Sequence, residues 1–377
     1  MESIAEVDHN EIEKRKETIS RMWEYKKIDH IPIGVWIDDF SQYTLREQCE
    51  DGLKQFETMV NCANRCLRNL PDDYIPYVRI WPGYMTIATM FGMEIYWSDD
   101  PNQAPGTKGH IIEVMDDVYN LKMPDAKKDG LMPHNLKWLS YADKNLPKDV
   151  YIAGIDLGGP LNTAKDLLET NLLYTSFLDS PDAMHYLLKL VAELQRKCNE
   201  EIIRAVDGLQ RLTCTDFDPI WAPLPYKGFV SDDVCSALSP DIFKIFSIPY
   251  NNMIFDGFDG GRLHNCGPNP SANLYHRHDI KRFGLNCSYK YSKDDIQVLK
   301  SVFSGKGIIE FNFDNGESAD EILKGFEEIA NVLSPDVIGM PVLFLNESWR
   351  DEDLRSIYAD LRKISDDYAG AIEWTCE

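Results

Sequence analysis

A histidine and a cysteine lie two residues apart in the segment GGRLHNCGPNP, which covers residues 260–270. Side chains at i and i+2 of a β-strand share a face, so His264 and Cys266 can converge on one point. Imidazole nitrogen and thiolate sulfur both bind Zn²⁺, and a catalytic zinc uses about three protein ligands and keeps one position open. The pair therefore predicts two zinc ligands. The alternative is an ordinary core, with Cys266 as a small apolar residue and His264 hydrogen-bonded to a backbone carbonyl.

Other polar residues close neighbouring apolar segments and supply the remaining candidates. Cys287 is the nearest spare thiol and the candidate third metal ligand, with core packing as its alternative. Asp216 or Glu310 would orient an acceptor or complete the coordination shell. Acids at strand ends are also often solvated or cap helices. The candidate catalytic residues are Asp156, Asp216, Glu310 and Asn312.

The segment AGIDLGGPL (153–161) holds Asp156 among glycines that permit close backbone approach. Gly158 from this segment and Asp218 are the candidate cofactor-binding residues. The glycine spacing fits neither G-x-G-x-x-G nor a P-loop, so we do not expect a phosphate cradle. G-x-S-x-G is also absent, which removes the commonest hydrolase signature.

Apolar or β-rich segments that alternate with helix-like stretches are expected to position these residues. One such helix is opened by Ser180 as N-cap and Pro181 as its first residue. Alternation repeated eight times predicts an α/β protein with a (β/α)8 TIM barrel, whose active face lies at the carboxyl ends of the strands. The predicted strands are 30–37, 77–81, 151–156, 209–216, 261–266, 283–289, 307–313 and 340–346.

Residues 82–150 are longer than a crossover helix requires and contain short strand-like runs. We interpret them as an insertion after the second strand, within a single barrel domain that covers residues 1–377. Two domains divided near residue 145 are the alternative. The segment YHRHD (275–279) is expected to be exposed, because residues i and i+2 of a helix face apart and cannot share a metal.

The composition excludes several classes of partner. A formal charge of −23 disfavours nucleic acid and anionic membranes and favours a small molecule or a protein. Eighteen consecutive apolar residues occur nowhere, and the first residues lack the apolar core of a signal peptide. Nine cysteines without a disulfide-framework spacing fit a reducing compartment. Together these features predict a cytoplasmic protein.

Several segments resemble the uroporphyrinogen decarboxylase superfamily, whose members include the cobalamin-dependent methyltransferases that carry methyl groups from a corrinoid protein to coenzyme M. The likeness spans nearly the whole chain and implies a single (β/α)8 barrel. The similar segments are RMWEYKKIDHIPIGVW, IATMFGMEIYWSDD, AGIDLGGPLNTAKDLL, LDSPDAMHYLLKLV, LSPDIFKIFSIPYNNMI, LHNCG and EFNFD.

The resemblance to the methyltransferases implies a zinc ion that binds the acceptor thiol and lowers its pKa, so that the thiolate attacks a methyl group on cobalt. A separate partner protein would carry the corrinoid. His264 and Cys266 match the first two ligands of the family. The family's later cysteine would fall where this sequence has Pro341 and Val342, which leaves Cys287 or a carboxylate as the third ligand. Either change would alter the charge of the zinc site and imply a different acceptor, such as a tetrahydrofolate or another thiol, and loss of the metal is a further alternative.

The resemblance also allows a decarboxylase acting on a tetrapyrrole or a smaller acid, in which Asp156 or Asp216 would stabilise a protonated pyrrole. The decarboxylases carry an R-Q-A-G-R segment, whereas the corresponding region here is WIDDFSQYTLRE. A substrate with several carboxylates needs cations to replace its hydration, and Arg79 and Lys290 are the exceptions in a mostly acidic mouth. This alternative is therefore disfavoured. A non-catalytic corrinoid- or tetrapyrrole-binding protein is the third hypothesis.

Overall fold

The computed structural model describes residues 4, 7–275, 281–305, 307–314 and 316–375. The segment YHRHD therefore lies outside the described residues except for Tyr275, which is buried. The strands are β1 (Gly34–Ile37), β2 (Tyr77–Arg79), β3 (Ile95–Tyr96), β4 (Gly106–Thr107), β5 (Tyr151–Ala153), β6 (Gly228–Ser231), β7 (Gly260–His264), β8 (Arg282–Ser288), β9 (Gly307–Phe313) and β10 (Ile338–Leu345).

The strands form a curled parallel sheet in the order β1-β10-β9-β8-β7-β6, while β2 and β5 form a second parallel pair. In chain order that pair falls between β1 and β6, which are the two edges of the larger sheet. Together the two sheets supply the parallel strands of a TIM barrel, and the predicted fold class is confirmed. The carboxyl ends of these strands share one end of the barrel.

The predicted strand over 209–216 is wrong. Residues Leu209–Arg211 form a 3-10 helix, and Leu212 makes only an isolated bridge to Ile152 of β5. Beyond it the chain doubles back, since the amide of Ala222 donates to the carbonyl of Thr213 at 3.1 Å. The fourth barrel strand is instead β6, whose four buried residues were not predicted as a strand.

Helices cover the outside of the sheet, and local signals explain where several begin. Ser318 and Thr44 form capping boxes with the glutamates three residues later, and Ser180 precedes a helix that starts at Pro181, as predicted. The helices are α1 (His9–Trp23), α2 (Leu45–Glu50), α3 (Gly52–Asn69), α4 (Thr86–Met90), α5 (Met132–Asn145), α6 (Pro160–Leu167), α7 (Thr170–Asp179), α8 (Pro181–Ala205), α9 (Pro240–Phe246), α10 (Ile248–Phe255), α11 (Tyr289–Ser292), α12 (Ile296–Phe303), α13 (Ala319–Leu333) and α14 (Asp351–Ala371).

Residues 82–150 lie between β2 and β5 and contain α4, α5 and the antiparallel pair of β3 with β4. Among the described helices, none has the length and apolar content needed to cross a membrane. The buried apolar side chains fill the interior of the sheet and the layer between sheet and helices, in one continuous cluster.

Two glycines allow the chain after β5 to approach its neighbours closely. A Cβ atom at Gly154 would overlap the carbonyl oxygen of Asp216, and one at Gly159 would overlap that of Ser231 at the end of β6. Since backbone atoms cannot move aside as a flexible side chain can, both positions require glycine. The contact at Gly159 holds this segment against the end of β6, and the contact at Gly154 holds it against the loop that contains Asp216.

We expect Gly159→Ala to lower the free energy of unfolding by about 1–3 kcal/mol, because the new methyl group displaces the backbone of β6. The matched control is Gly370→Ala in α14, where a Cβ atom meets nothing within 4 Å. That variant should gain roughly 0.5–1 kcal/mol, since alanine favours a helix over glycine. Urea unfolding of both variants measures the difference, and equal stabilities would contradict the close approach.

Candidate functional site

A cavity of about 640 Å³ opens at the carboxyl ends of the barrel strands. Its size is that of a small-molecule binding site. Its lining residues are Trp36, Tyr84, Asp156, Gly158, Asn162, Thr163, Lys165, Asp166, Tyr174, Phe217, Ser231, Asp233, Val234, Ser236, Ala237, His264, Cys266, Ser288, Asn312, Asp314 and Phe344.

Three potential metal ligands converge on the wall of this cavity. His264 is the last residue of β7, Cys266 follows two residues later, and Asp233 lies two residues beyond the end of β6. The Nε2 atom of His264 lies 3.4 Å from the sulfur of Cys266 and 3.5 Å from Oδ1 of Asp233. All three donor atoms lie within 4.8 Å of one another. The structure thus brings the two predicted ligands together and adds a third.

The register of two parallel strands places Asp233 there. Ser231 of β6 is aligned with His264 of β7, so the residues that follow each strand are also neighbours. The amide of Cys266 donates a 3.0 Å hydrogen bond to Oδ1 of Asp233, which fixes the carboxylate beside the sulfur. Sequence reasoning missed Asp233 because β6 was not predicted. The acidic pair that follows the GFVS run was the signal that could have found it.

Asn286 of β8 orients the imidazole from behind. Its Oδ1 atom lies 2.7 Å from Nδ1 of His264 and also accepts a 2.9 Å hydrogen bond from the side-chain amide of Asn312. Because an amide oxygen only accepts, Nδ1 must carry a proton. The second nitrogen, Nε2, is then directed to Cys266 and Asp233. This arrangement is typical of a histidine held for metal binding by a second-layer partner.

The electrostatics of the cluster favour a positive charge at its centre. Burial alone would lower the pKa of His264, but the Cys266 sulfur, the Asp233 carboxylate and the Asn286 oxygen together raise it well above the ordinary value. Burial alone would raise the pKa of Asp233, but the charge of His264 and the hydrogen bonds from Cys266 lower it below the ordinary value. A divalent cation could replace the proton that these groups share.

The donor set fits zinc. Nitrogen, sulfur and carboxylate oxygen are its usual protein ligands, and about three of them leave one position for water or substrate in a catalytic site. Cys266 is exposed and lines the cavity, so an ion held by this cluster would be accessible to a ligand in the cavity. The residues that would hold the ion are Asp233, His264 and Cys266.

Cys287 is not brought to this cluster. It follows Asn286 in β8, and because successive side chains of a strand point to opposite faces, Cys287 points away from the side that holds His264. It is fully buried, and burial raises the pKa of its thiol to about 12. Pro341 and Val342 lie buried within β10.

Asp156 and Gly158 both line the cavity on the side of β5. Asp156 accepts hydrogen bonds of 3.1 Å from the indole of Trp81 and from the amide of Gly158. Burial raises the pKa of Asp156 above the ordinary value, despite these two donors. Gly158 has a φ of +63° and only ordinary contacts around its missing side chain, so it leaves room for a ligand.

Asp216 is completely buried and does not line the cavity. It accepts hydrogen bonds from the backbone amides of Phe217 at 2.8 Å and Leu157 at 3.2 Å. Burial, followed by the nearby charge of Asp156, raises its pKa well above the ordinary value. Asp216 therefore links its own loop to the segment that contains Leu157.

Asp218 and Glu310 share the buried guanidinium of Arg262 in the interior of the barrel. Asp218 lies 3.2 Å from Nη1 of Arg262, and Glu310 pairs with the same nitrogen. Glu310 also accepts a 2.9 Å hydrogen bond from the amide of Asn286, so this ion cluster supports the residue that orients His264. Burial raises the pKa of Glu310 to about 8, with Arg262 opposing and Asp218 adding to the shift.

The walls of the cavity are aromatic. Trp36 stacks on Phe344 with ring centroids 5.1 Å apart and meets Phe217 edge-on at 5.6 Å. Phe217 in turn meets the His264 ring edge-on at 5.3 Å. These rings surround the metal-ligating cluster with apolar surface, which strengthens electrostatic interactions inside the cavity.

Arg79 and Lys290, the cations expected at the mouth of the barrel, do not line the cavity. Arg79 is buried, with its guanidinium carbon 4.6 Å from the centroid of the Trp36 ring, and it forms an ion pair with Asp38. Lys290 is exposed and lies over the ring of Tyr291. Among the described residues that line the cavity, the one lysine or arginine is Lys165.

Comparison with known proteins identifies relatives of this architecture. A family model described as uroporphyrinogen decarboxylase (URO-D) matches residues 14–224, more than half of the chain. A methyltransferase from Methanosarcina mazei has a TM-score of 0.70 and 15% identity, over 93% of this chain and 98% of that chain. A B12-independent methionine synthase from Shewanella sp. W3-18-1, in complex with selenomethionine, has a TM-score of 0.47 and 10% identity, over 91% and 96%. A search among curated proteins finds no match. The likeness to the methyltransferase shows a shared fold.

We expect Glu310→Gln to change how stability depends on pH. A carboxyl group whose pKa is higher in the folded state than in the unfolded state favours folding as long as it is protonated. Its contribution to the free energy of unfolding is complete below the pKa of the unfolded state, and it is lost as the pH rises to the folded-state value of about 8. Between about pH 4.5 and 8 the wild type should therefore lose stability relative to the variant, by up to about 1.4 kcal/mol per pH unit.

Urea unfolding across this pH range measures the difference between the two proteins. The control is Glu352→Gln at an exposed glutamate of α14, which should run parallel to the wild type. Parallel curves for Glu310→Gln as well would show that Glu310 does not hold a proton in the folded state.

Proposed function

The chain belongs to the uroporphyrinogen decarboxylase family, and we propose that it is a methyltransferase that uses zinc to activate an acceptor thiol, which takes a methyl group from a methylcorrinoid. The observation that supports this most is the convergence of Asp233, His264 and Cys266 on one point of the cavity wall. An ion held by a neutral imidazole, a thiolate and a carboxylate would have its two positive charges balanced by the protein.

When bound, the ion would lower the pKa of a coordinated acceptor thiol and so supply a thiolate at neutral pH. The protein supplies the geometry. Asn286 keeps Nε2 of His264 turned to the ion, and the amide of Cys266 keeps the Asp233 carboxylate in place. Asp156 lines the same cavity, and its raised pKa suits it to take up the proton that the thiol releases.

The methyl group would pass from a corrinoid to the acceptor sulfur at the open end of the cavity. The sulfur to carbon bond forms as the carbon to cobalt bond breaks, and the electron pair of the latter stays on cobalt. The cavity of about 640 Å³ suits a small acceptor, while the corrinoid would be presented by a partner protein. Trp36, Phe217 and Phe344 line this cavity and would limit the access of water to the reacting atoms.

Porphyrinogen decarboxylation fits this cavity less well. A substrate with several carboxylates needs several cations to replace its hydration. Among the described lining residues, Lys165 is the one such cation, and its Nζ lies 3.3 Å from Asp166. A non-catalytic corrinoid-binding protein is distinguished by its failure to transfer a methyl group.

We expect the purified protein to bind about one zinc ion per chain. Asp233→Ala, His264→Ala and Cys266→Ser should each weaken zinc binding by more than the roughly 100-fold that loss of an outer partner causes. The control is Cys287→Ser, which should retain the metal because Cys287 points away from the cluster. Elemental analysis with chelator competition measures both, and circular dichroism checks the fold.

Two results would contradict the proposed ligand set. One is loss of zinc in Cys287→Ser with retention in Asp233→Ala. The other is absence of metal from wild type prepared anaerobically with excess zinc.

We expect zinc-loaded protein to transfer the methyl group of methylcobalamin to a two-carbon thiol, and Cys266→Ser to slow this by about 100-fold or more. The loss of methylcobalamin absorbance gives the rate. Cys287→Ser, loaded with zinc in the same way, should react like the wild type. Equal rates with and without zinc would contradict the mechanism, and zinc binding without any transfer would favour the non-catalytic alternative.

A further inference from the structure

The charges that line the cavity are mainly negative. The acids are Asp156, Asp166, Asp233 and Asp314, whereas Lys165 is the one lysine or arginine of the described lining. This imbalance bears on the chemical class of the acceptor, because a ligand that enters a narrow cavity exchanges its hydration for the charges of the walls.

The nearby cations already have partners. Nζ of Lys165 lies 3.3 Å from Asp166 and 5.7 Å from the ring centroid of Tyr84. Arg79 pairs with Asp38 and does not line the cavity. Neither group is therefore free to meet an anionic ligand without leaving a carboxylate unpaired, and such an unpaired buried charge is costly.

Among the described residues, two of the acids have only neutral hydrogen-bond partners. Asp156 is 8% exposed and accepts hydrogen bonds from Trp81 and Gly158, which are both uncharged donors. Asp314 accepts a 2.7 Å hydrogen bond from the hydroxyl of Ser288 at the end of β8. Even if a divalent ion balances Asp233 and Cys266, and Lys165 balances Asp166, these two acids remain uncompensated.

The aromatic side chains of the cavity reinforce this preference. Trp36, Phe344 and Tyr84 line the same space as the two uncompensated acids. The faces of such rings attract ammonium groups and repel anions. Trp36 already stacks on Phe344 and has Arg79 near its ring, and Lys165 lies over Tyr84. The carboxylates therefore carry most of the preference for a cationic ligand, and the rings add to it where a face remains open.

We propose that the acceptor carries a positive charge beside its thiol, which makes it an aminothiol, and that the cavity rejects thiols that carry a sulfonate or carboxylate. This inference rests on the proposed function, since it names the class of thiol that the same site would activate. The thiol would bind at the Asp233, His264 and Cys266 cluster, and its ammonium group would lie towards Asp314, since Asp156 takes up the proton that the thiol releases.

The experiment compares three thiols with the same two-carbon spacer: 2-aminoethanethiol, 2-mercaptoethanol and 2-mercaptoethanesulfonate. Calorimetric titration into the zinc-loaded wild-type protein measures their affinities. We expect the aminothiol to bind about tenfold or more tightly than the sulfonate, with the neutral thiol between them. The reason is that the charge beside the thiol changes from positive to neutral to negative along this series, while the cavity stays negative.

A variant separates the effect of the cavity from the intrinsic differences among the thiols. Asp314→Asn should bring the affinities for the aminothiol and the sulfonate several-fold closer together, since it removes one carboxylate and keeps the shape. The ratio of the affinities for the aminothiol and the sulfonate is measured in both proteins. When the ratio of the variant is divided by that of the wild type, the intrinsic difference between the two thiols in zinc affinity cancels. The control is Asp99→Asn, at an exposed aspartate that does not line the cavity, which should leave the ratio unchanged.

The outcomes distinguish this inference from the function on which it rests. Binding of the thiols with equal affinity, or with the sulfonate preferred, would overturn the inference and leave thiol activation standing. An unchanged ratio in Asp314→Asn would overturn it as well. If the zinc-loaded protein binds none of the three thiols, the proposed thiol acceptor is overturned, and this inference with it.

Discussion

The lateral register of the parallel strands is the constraint on which the candidate site depends. Ser231, His264, Asn286 and Glu310 are aligned across β6, β7, β8 and β9 and form one row inside the barrel. Within that row three side chains are linked from strand to strand, from the imidazole of His264 to the side-chain amide of Asn286 and from that amide to the carboxyl group of Glu310. A shift of one residue between any two of these strands would turn the residues on one side of the shift to the opposite face.

The interior charges set a second condition on the same row. Arg262 lies against two carboxyl groups, those of Asp218 and Glu310, and all three side chains are completely or almost completely buried. Such a cluster is weak evidence for stability, because removing charges from water costs several kcal/mol for each ion. Its geometric effect is clearer: Glu310 fixes Asn286, which fixes His264. The buried ion cluster in the barrel interior therefore orients the His264 side chain at the cavity.

Much of the fold was predictable because its signals are local. Helix starts at Pro181 and Pro240 and the long apolar runs of β8, β9 and β10 are visible in short windows of sequence. The error at 209–216 has a physical reason. An apolar or β-rich pattern reports that a segment is buried, and residues 211–216 are buried, but buried irregular chain with one bridge to β5 gives the same pattern as a short strand.

The sequence by itself predicted the barrel and the proximity of His264 and Cys266, since residues at i and i+2 of an extended chain share a face, and the chain past the end of β7 still places Cys266 beside His264. Only the tertiary structure decided the rest of the cluster. Asp233 is 33 residues from Cys266 along the chain and reaches it through the β6 to β7 register, while Cys287 lies on the wrong face of β8. Distance in sequence carries no information about such neighbours, because they are set by how separate strands align.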